Sequence, residues 1–329
     1  MEATAHTTSI RRWLPGGEFL RAYGALIGMV IVLLAVGVLK PSFLSYANVG
    51  NVLRQSAVLI VLACGLSFVL VLRGVDLSIA QTTDAAAITA AALLIHGQPV
   101  WMAFAAPLAL GALIGVFNGL MMAYLGVPAI IGSLGAMFII RSGEMIYTKG
   151  SEPQILFTLP KSVTADFLFL GQKTIGPVPA LIVLALVCLA IAWGLSGLTP
   201  FGRYARAVGS NVRASFLAGV DTRMIFAAGF VLSGLFAAVA GIAMAVRTGI
   251  ASPRGAEPYL LDAFAACYLG TLASRTGAVS IPGTLIGALF VSFLSNGLTI
   301  LGLGAAARFT LNGMFILLAM AVGALRRPI

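Results

Sequence analysis

Charge is the scarcest property of this sequence. Only 9% of its 329 residues are Asp, Glu, Lys or Arg, whereas 60% are hydrophobic. Ordinary globular chains carry about 25% charged residues, and a soluble core of this size could not hide so much apolar surface. These proportions exclude a water-soluble globular protein and indicate a chain that lies in lipid.

Cysteine and histidine are also rare, and their positions exclude several kinds of site. Cys64, Cys188 and Cys267 lie in separate apolar runs and form no CxxC pair, which is typical of small buried residues rather than of a disulfide or metal framework. His6 and His96 are far apart in the sequence. We therefore expect no metal site and no cofactor.

The usual catalytic motifs are missing. The sequence has no GxxxxGK[ST] P-loop and no HExxH motif, which excludes P-loop nucleotide hydrolysis and zinc-protease chemistry on this chain. Residues 194–197 match the GxSG of intramembrane serine proteases, but the predicted spans place His96 across the bilayer from Ser196. We predict that the chain is not an enzyme.

Long apolar windows dominate the remaining sequence, and their lengths of roughly 17–25 residues suit membrane helices. They predict an all-α polytopic protein that forms one transmembrane domain over residues 1–329. The predicted spans are 22–39, 57–73, 79–96, 100–124, 128–147, 178–198, 224–246, 259–274, 279–300 and 309–325.

A basic segment at 199–223 sets the expected orientation. It is a polar island with Arg203, Arg206, Arg213 and Arg223 between two apolar runs, and loops rich in Lys and Arg stay in the cytoplasm. We place the N-terminal segment 1–21 in the cytoplasm too, so ten spans return the C-terminus there. The net charge of +10 then reflects loop placement, and we expect no nucleic-acid partner.

Two connecting segments carry their own predictions. Residues 41–56 mix apolar and polar positions and predict a short helix lying at the interface on the outer side of the membrane. Residues 148–177, with three prolines and scattered aromatics, predict an ordered outer cap.

Glycine spacing indicates close helix packing, with a pore-lining face as the alternative. Small residues recur every fourth position at 111–119, 229–241 and 283–287, which lets helix backbones approach in lipid. A weaker pattern is the similarity of NGLMMAYLG (118–126) to NGLTILGLG (296–304). It is what an inverted five-plus-five repeat, or chance, would produce.

Polar residues inside the predicted spans need a reason, because charge is costly in a bilayer. Asp76 either marks a broken helix usable by a polar solute or caps the third span. Arg141 and Glu144, spaced i, i+3, predict a structural ion pair. Asp262 is expected to cap the start of the eighth span, where a carboxylate suits the helix dipole, rather than to carry protons.

The amides Asn118, Asn296 and Asn312 suit either an uncharged polyhydroxylated solute or hydrogen bonds between helices. Asn312 fits the structural role, and the other two remain open. With the Asp76 segment, the candidates for a solute path are Asp76, Ser78, Asn118 and Asn296.

Several stretches, taken in order, resemble one family, the inner-membrane permeases of ABC importers for sugars of the ribose, arabinose and xylose type. RGVDLSIA (73–80) resembles that family's GGIDLSVG signature, and GRYARAVGSNVRASFLAGV (202–220) resembles its cytoplasmic motif. The others are GVFNGL (115–120), VPAIIGSLGAMFIIRSG (127–143), EPYLLDAFAA (257–266), PGTLIGAL (282–289) and SNGL (295–298).

The resemblance implies import of a monosaccharide or similar solute across a bacterial inner membrane. It implies three partners besides the lipid: a cytoplasmic ATP-binding subunit, a periplasmic solute-binding protein and a second permease subunit, identical or different. By the same resemblance, the ATPase would dock on the coupling loop 199–223 at Arg203, Arg206, Gly209, Asn211 and Ala214.

Two departures from the family pattern concern the solute. Arg73 and Ala80 stand where the signature has glycines, and LGTLASRTGA (269–278) replaces a more glycine-rich turn. The alternative function is an ion-coupled secondary transporter, with Asp84, Glu144 and Asp262 as its candidate coupling carboxylates.

Overall fold

Helices make up nearly all of the structure, a computed structural model that describes residues 15–274 and 277–325. For residues 15–23, 25, 319–320 and 322–325 it describes the backbone alone. Arg11 and Arg12 of the predicted cytoplasmic segment 1–21 lie outside the described residues.

Each predicted span corresponds to one observed helix, so the all-α polytopic fold is confirmed. The ten helices are α1 (Pro15–Leu39), α2 (Tyr46–Val71), α3 (Ile79–Ile95), α4 (Val100–Ala123), α5 (Ala129–Tyr147), α7 (Ala180–Gly197), α10 (Thr222–Thr248), α11 (Glu257–Leu272), α12 (Ile281–Ile300) and α13 (Ala305–Leu325). Of the described helices, α2, α4, α5, α7, α10 and α12 are long and apolar enough to cross a membrane by length and composition.

The prediction of a separate interfacial helix at 41–56 is wrong. Pro41–Leu44 forms one 3₁₀ turn, and α2 then runs without a break from Tyr46 to Val71. The Ser45 hydroxyl caps α2 by accepting a hydrogen bond from the Asn48 amide (3.3 Å). The polar residues here are therefore the first turns of a membrane helix.

The segment predicted as a cap is ordered around the helix α6 (Lys161–Gln172), which buries Phe167 and Leu168. Strand β1 (Gln154–Ile155) pairs antiparallel with β4 (Ile250–Ala251), and β2 (Thr174–Ile175) pairs with β3 (Val178–Pro179). This end of the bundle is called the α6 end below. The opposite end, called the α8–α9 end, carries α8 (Pro200–Ser210) and α9 (Val212–Leu217).

Glycines hold α4 directly against α10, which confirms the packing interpretation. A β-carbon at Gly111 would overlap the Gly234 carbonyl, and one at Gly115 would lie 2.6 Å from the Phe230 carbonyl oxygen. The equivalent β-carbon at Gly119 would lie 2.9 Å from the Ala227 α-carbon. Because the nearest atom at each of the three positions belongs to the backbone of α10, this contact depends on the missing side chains.

The helices in the two halves of the bundle contact one another in the same pattern. Helix α3 packs on α4 and α5 as α11 packs on α12 and α13, and α4 crosses to α10 as α12 crosses to α2. This is the pattern that an inverted five-plus-five repeat predicts, and the repeat itself stays a prediction. The three cysteines are buried and unbridged, as predicted.

Candidate functional site

A break in the helical chain lies between α2 and α3, at residues 72–78. Arg73 has φ +60°, a left-handed conformation that favours glycine, and this explains why the resembling signature carries glycine there. Asp76 is 2% exposed. Its Oδ1 accepts hydrogen bonds from the Ser78 amide (3.0 Å) and hydroxyl (2.7 Å). Asp76 therefore lies in a break of the helical chain and binds the amide of Ser78, the residue just before α3, and its use by a solute stays a prediction.

Two further helices join this network. The Ser233 hydroxyl of α10 donates to Asp76 Oδ2 (2.7 Å), and the Asn118 amide of α4 donates to Ser78 Oγ (2.8 Å). Asp76, Ser78 and Asn118 thus meet in one buried cluster with Ser233, which is called the break cluster below. Asn118 Oδ1 has no donor among the described residues.

Sequence reasoning missed Ser233, which it counted as one small residue in a packing repeat. The hydroxyl group of Ser233, which can donate a hydrogen bond inside the bundle, was the sequence feature that could have identified it. Asn296 lies elsewhere: its Oδ1 accepts from Asn48 Nδ2 (2.8 Å), which ties α12 to the start of α2.

The basic segment 199–223 folds as two short helices with side-chain caps at each start. The Thr199 hydroxyl caps α8 and the Asp221 carboxylate caps α10. The Asn211 side chain caps α9 by accepting from the Ala214 amide (2.9 Å). Helix α8 is strongly two-sided, because Ala205, Val208 and Gly209 are buried whereas Arg203 and Arg206 are exposed.

The buried side of α8 rests on the end of α2. Ala205 and Val208 form an apolar cluster with Leu72 and Ile225. The Arg73 guanidinium donates to the Ser210 carbonyl (3.3 Å) at the end of α8. The basic segment is therefore in direct contact with the chain break.

The two arginines on the exposed side of α8 differ in their contacts. Arg206 donates to the Ser196 carbonyl at the end of α7, whereas no hydrogen bond or ion pair holds the Arg203 side chain within the described residues. A cavity of about 210 Å³ lies between α8, α2, α7 and the start of α12. Its walls include Phe68, Trp193 and Pro282.

Two predicted carboxylate arrangements are wrong. Arg141 and Glu144 form no ion pair within 4 Å in the described part of the chain, because Arg141 lines a surface cleft while Glu144 is buried. Asp262 lies in the second turn of α11 rather than at its start. It pairs with Arg308 (3.2 Å) and accepts a hydrogen bond from Asn312, both on α13. The structural role expected for Asn312 is confirmed.

Comparison with known proteins finds one matching family and several relatives, all described as permeases. The family described as "Branched-chain amino acid transport system / permease component" matches residues 48–325. The ribose import permease protein RbsC of Escherichia coli is 35% identical, over 97% of this chain and 98% of its own. The RbsC protein of Haemophilus influenzae is 32% identical, over 92% and 93%.

A further relative is named for a different sugar. The galactose/methyl galactoside import permease protein MglC of Escherichia coli is 31% identical, over 92% of this chain and 94% of its own. No solved structure matches the chain at a significant level.

Proposed function

Because the chain belongs to the branched-chain amino acid transport system / permease component family, we propose that it is the membrane subunit of an ABC importer. Its relatives are named for the import of ribose and of galactose or methyl galactoside. We infer that this chain, as one transmembrane domain over residues 1–329, moves a monosaccharide or a similar polyhydroxylated solute through a bacterial inner membrane.

One observation carries this proposal: the α8–α9 segment is joined to the break between α2 and α3. A chain without a P-loop of its own needs an external energy source. A partner that moves α8 acts at once on the end of α2. A cytoplasmic ATP-binding subunit fits this role. Under this proposal, the α8–α9 end and both termini lie in the cytoplasm.

The five proposed docking residues divide by what each contacts. Arg203 and Ala214 present exposed surface to the ATPase, and Asn211 fixes the turn between α8 and α9. Arg206 holds α8 to α7, and Gly209 lets α8 reach α2. Docking on the exposed side would thus shift the buried side.

The break cluster is the proposed link to the solute path. Movement of α8 pulls on Leu72 and Arg73, which lie three to four residues before Asp76. Breaking the bonds of Asp76, Ser78 and Asn118 would free their polar atoms for a solute. Asn118 Oδ1, which lacks a donor in the described residues, is the first available acceptor. Asn296 would act near the start of α2.

The remaining partners follow from the same assignment. The α6 end faces outward, where a periplasmic solute-binding protein delivers the solute. A second permease subunit, identical or not, completes the transport path. The alternative of ion coupling loses one of its candidates, because Asp262 is held by Arg308 and Asn312.

Reconstitution in proteoliposomes tests the function. The chain alone should take up neither labelled D-ribose nor labelled D-galactose, with or without a proton or sodium gradient. Addition of the ATP-binding subunit, the binding protein and ATP should start uptake of at least one sugar. Uptake by the chain alone along an ion gradient would overturn the proposal in favour of a secondary transporter.

A further inference from the structure

Three buried polar residues between α3 and α5 hold oxygen atoms without a hydrogen-bond donor. Gln81 is 2% exposed, Asp84 is 0% and Glu144 is 5%. Gln81 Oε1, Asp84 Oδ2 and both carboxylate oxygens of Glu144 have no donor among the described residues. Buried polar groups are normally hydrogen-bonded, so four open acceptors in one region need an explanation.

The three side chains belong to one site, which is called the acceptor cluster below. Gln81 and Asp84 are spaced i, i+3 and therefore lie on one face of α3. Helix α5, which carries Glu144, packs on α3, and the Glu144 carboxylate is within electrostatic range of Asp84. The other oxygen of Asp84 accepts from the Ala256 amide (2.7 Å), which fixes the carboxylate.

Nearby cations do not neutralise this cluster. Arg254 pairs with Glu257 (2.8 Å) in the loop beside it. Arg141 lies within electrostatic range of Glu144, but it forms no ion pair in the described ranges. Neither Asp84 nor Glu144 therefore forms an ion pair with a cationic side chain of the described residues.

The chemistry of the cluster selects its ligand. A carboxyl group offers a carbonyl oxygen as an acceptor in either protonation state, and the open Gln81 atom is also a carbonyl oxygen. Such a set of acceptors suits a molecule rich in hydroxyl hydrogens, because each hydroxyl can donate to one of the open oxygens. A monosaccharide, with a hydroxyl on nearly every carbon, has this property.

Helix α5 buries few of its side chains against the rest of the described bundle. Its buried residues are Ser133, Ala136 and Glu144, and most of its other side chains are exposed. Few contacts must therefore break for α5 to separate from α3. Glu144 lies in the last turn of α5, at the α6 end, where a solute would enter.

We propose that the acceptor cluster is a binding station for the hydroxyl groups of the solute in transit, closed while α5 lies against α3 and open when the two separate. The proposal rests on the function proposed above and deepens it. It assigns solute contact to three residues outside the break cluster.

Uptake by the complete transporter is the first test. Gln81→Met keeps the volume and removes the open acceptor, and Glu144→Gln replaces one acceptor oxygen by a donor. Each should lower ATP-driven D-ribose uptake about tenfold, as expected for hydrogen bonds to charged or buried groups. Recovery of the ATP-binding subunit should stay unchanged.

The matched control is Thr83→Val on the same helix. Thr83 is equally buried, but its hydroxyl donates to the Ile79 carbonyl of its own helix (2.9 Å). Uptake by this variant should equal that of the parent protein. Parent-level uptake by both cluster variants would overturn the binding station.

Cysteine accessibility separates a binding role from a structural one. In a chain with Cys64, Cys188 and Cys267 replaced by alanine, Glu144→Cys in nanodisc complexes should react with a charged methanethiosulfonate at a rate that depends on ATP. Saturating D-ribose should slow that reaction. Thr82→Cys, also buried on α3, should stay unreactive.

The outcomes distinguish this inference from the proposed function. No labelling of Glu144→Cys would show that the seam between α3 and α5 never opens to a solute, and equal labelling in all states would show that it does not open and close with transport. That result with normal uptake by the parent transporter overturns only the binding station. A parent transporter that moves no monosaccharide overturns the proposed function itself.

Discussion

Gly209 of α8 lies directly against the backbone carbonyl oxygen of Val71, the last residue of α2. A β-carbon at position 209 would overlap that oxygen, and backbone cannot swing aside as a side chain can. This contact joins the basic segment to the chain break that holds Asp76.

Gly209→Val should separate α8 from α2. Forced overpacking costs about 1–3 kcal/mol, so we expect a lower thermal unfolding temperature and loss of most ATP-driven uptake. Gly194→Ala is the control, because a β-carbon there meets no atom within 4 Å. If Gly209→Val transports normally, close contact between α8 and α2 is not needed for coupling.

Arg203→Glu should weaken recovery of the ATP-binding subunit without destabilising the membrane subunit. Arg203 is exposed and unpaired in the described structure, so charge reversal affects only a partner. Arg206→Glu should lower both recovery and thermal stability, because it also loses the bond to Ser196. Co-purification and thermal unfolding measure the two effects. Lys161→Glu, exposed at the α6 end, should change neither.

Substitutions at Arg73 should separate backbone strain from coupling. Arg73→Gly relieves a left-handed φ that costs a non-glycine residue about 1–2 kcal/mol but loses the bond to Ser210. Arg73→Ala loses the same bond and keeps the strain. Arg73→Gly should therefore unfold at a higher temperature than Arg73→Ala. Both should move fewer sugar molecules per ATP hydrolysed, and parent-level ratios in both would contradict a coupling role.

Ser233→Ala should weaken the break cluster. Asp76 Oδ2 loses its hydroxyl donor, and a typical intramolecular hydrogen bond contributes about 0.5–1.5 kcal/mol. Combined with Asp76→Asn, the loss should be clearly less than the sum of the single losses, because both changes remove one bond. Additive losses of thermal stability would mean that Ser233 and Asp76 do not interact in the membrane.

Local signals predicted the helices well. Hydropathy is a property of consecutive residues, so it can be read from the sequence alone. Every predicted span matched one helix, and most of the predicted ends lie within a few residues of the observed ones. The error at 41–56 has the same origin: Ser45 starts a helix there, and its polar first turns look like a separate amphipathic segment.

Side-chain partners could not be predicted in the same way. The spacing of Arg141 and Glu144 allows an ion pair, but it does not say which side chain turns to the bundle interior. The bond from Asn118 to Ser78 joins positions 40 residues apart, and no local pattern encodes it. The departure at Arg73 gained meaning only when its φ and its bond to Ser210 were known.

The glycine contact between α4 and α10 has a mechanical consequence. Two helices in backbone contact resist bending far more than either does alone, so the pair behaves as a stiff rod. One end of α10 adjoins the basic segment, and Val246 near its other end touches Gly171 of α6. A tilt imposed on this pair at one end of the bundle would therefore reach the opposite end.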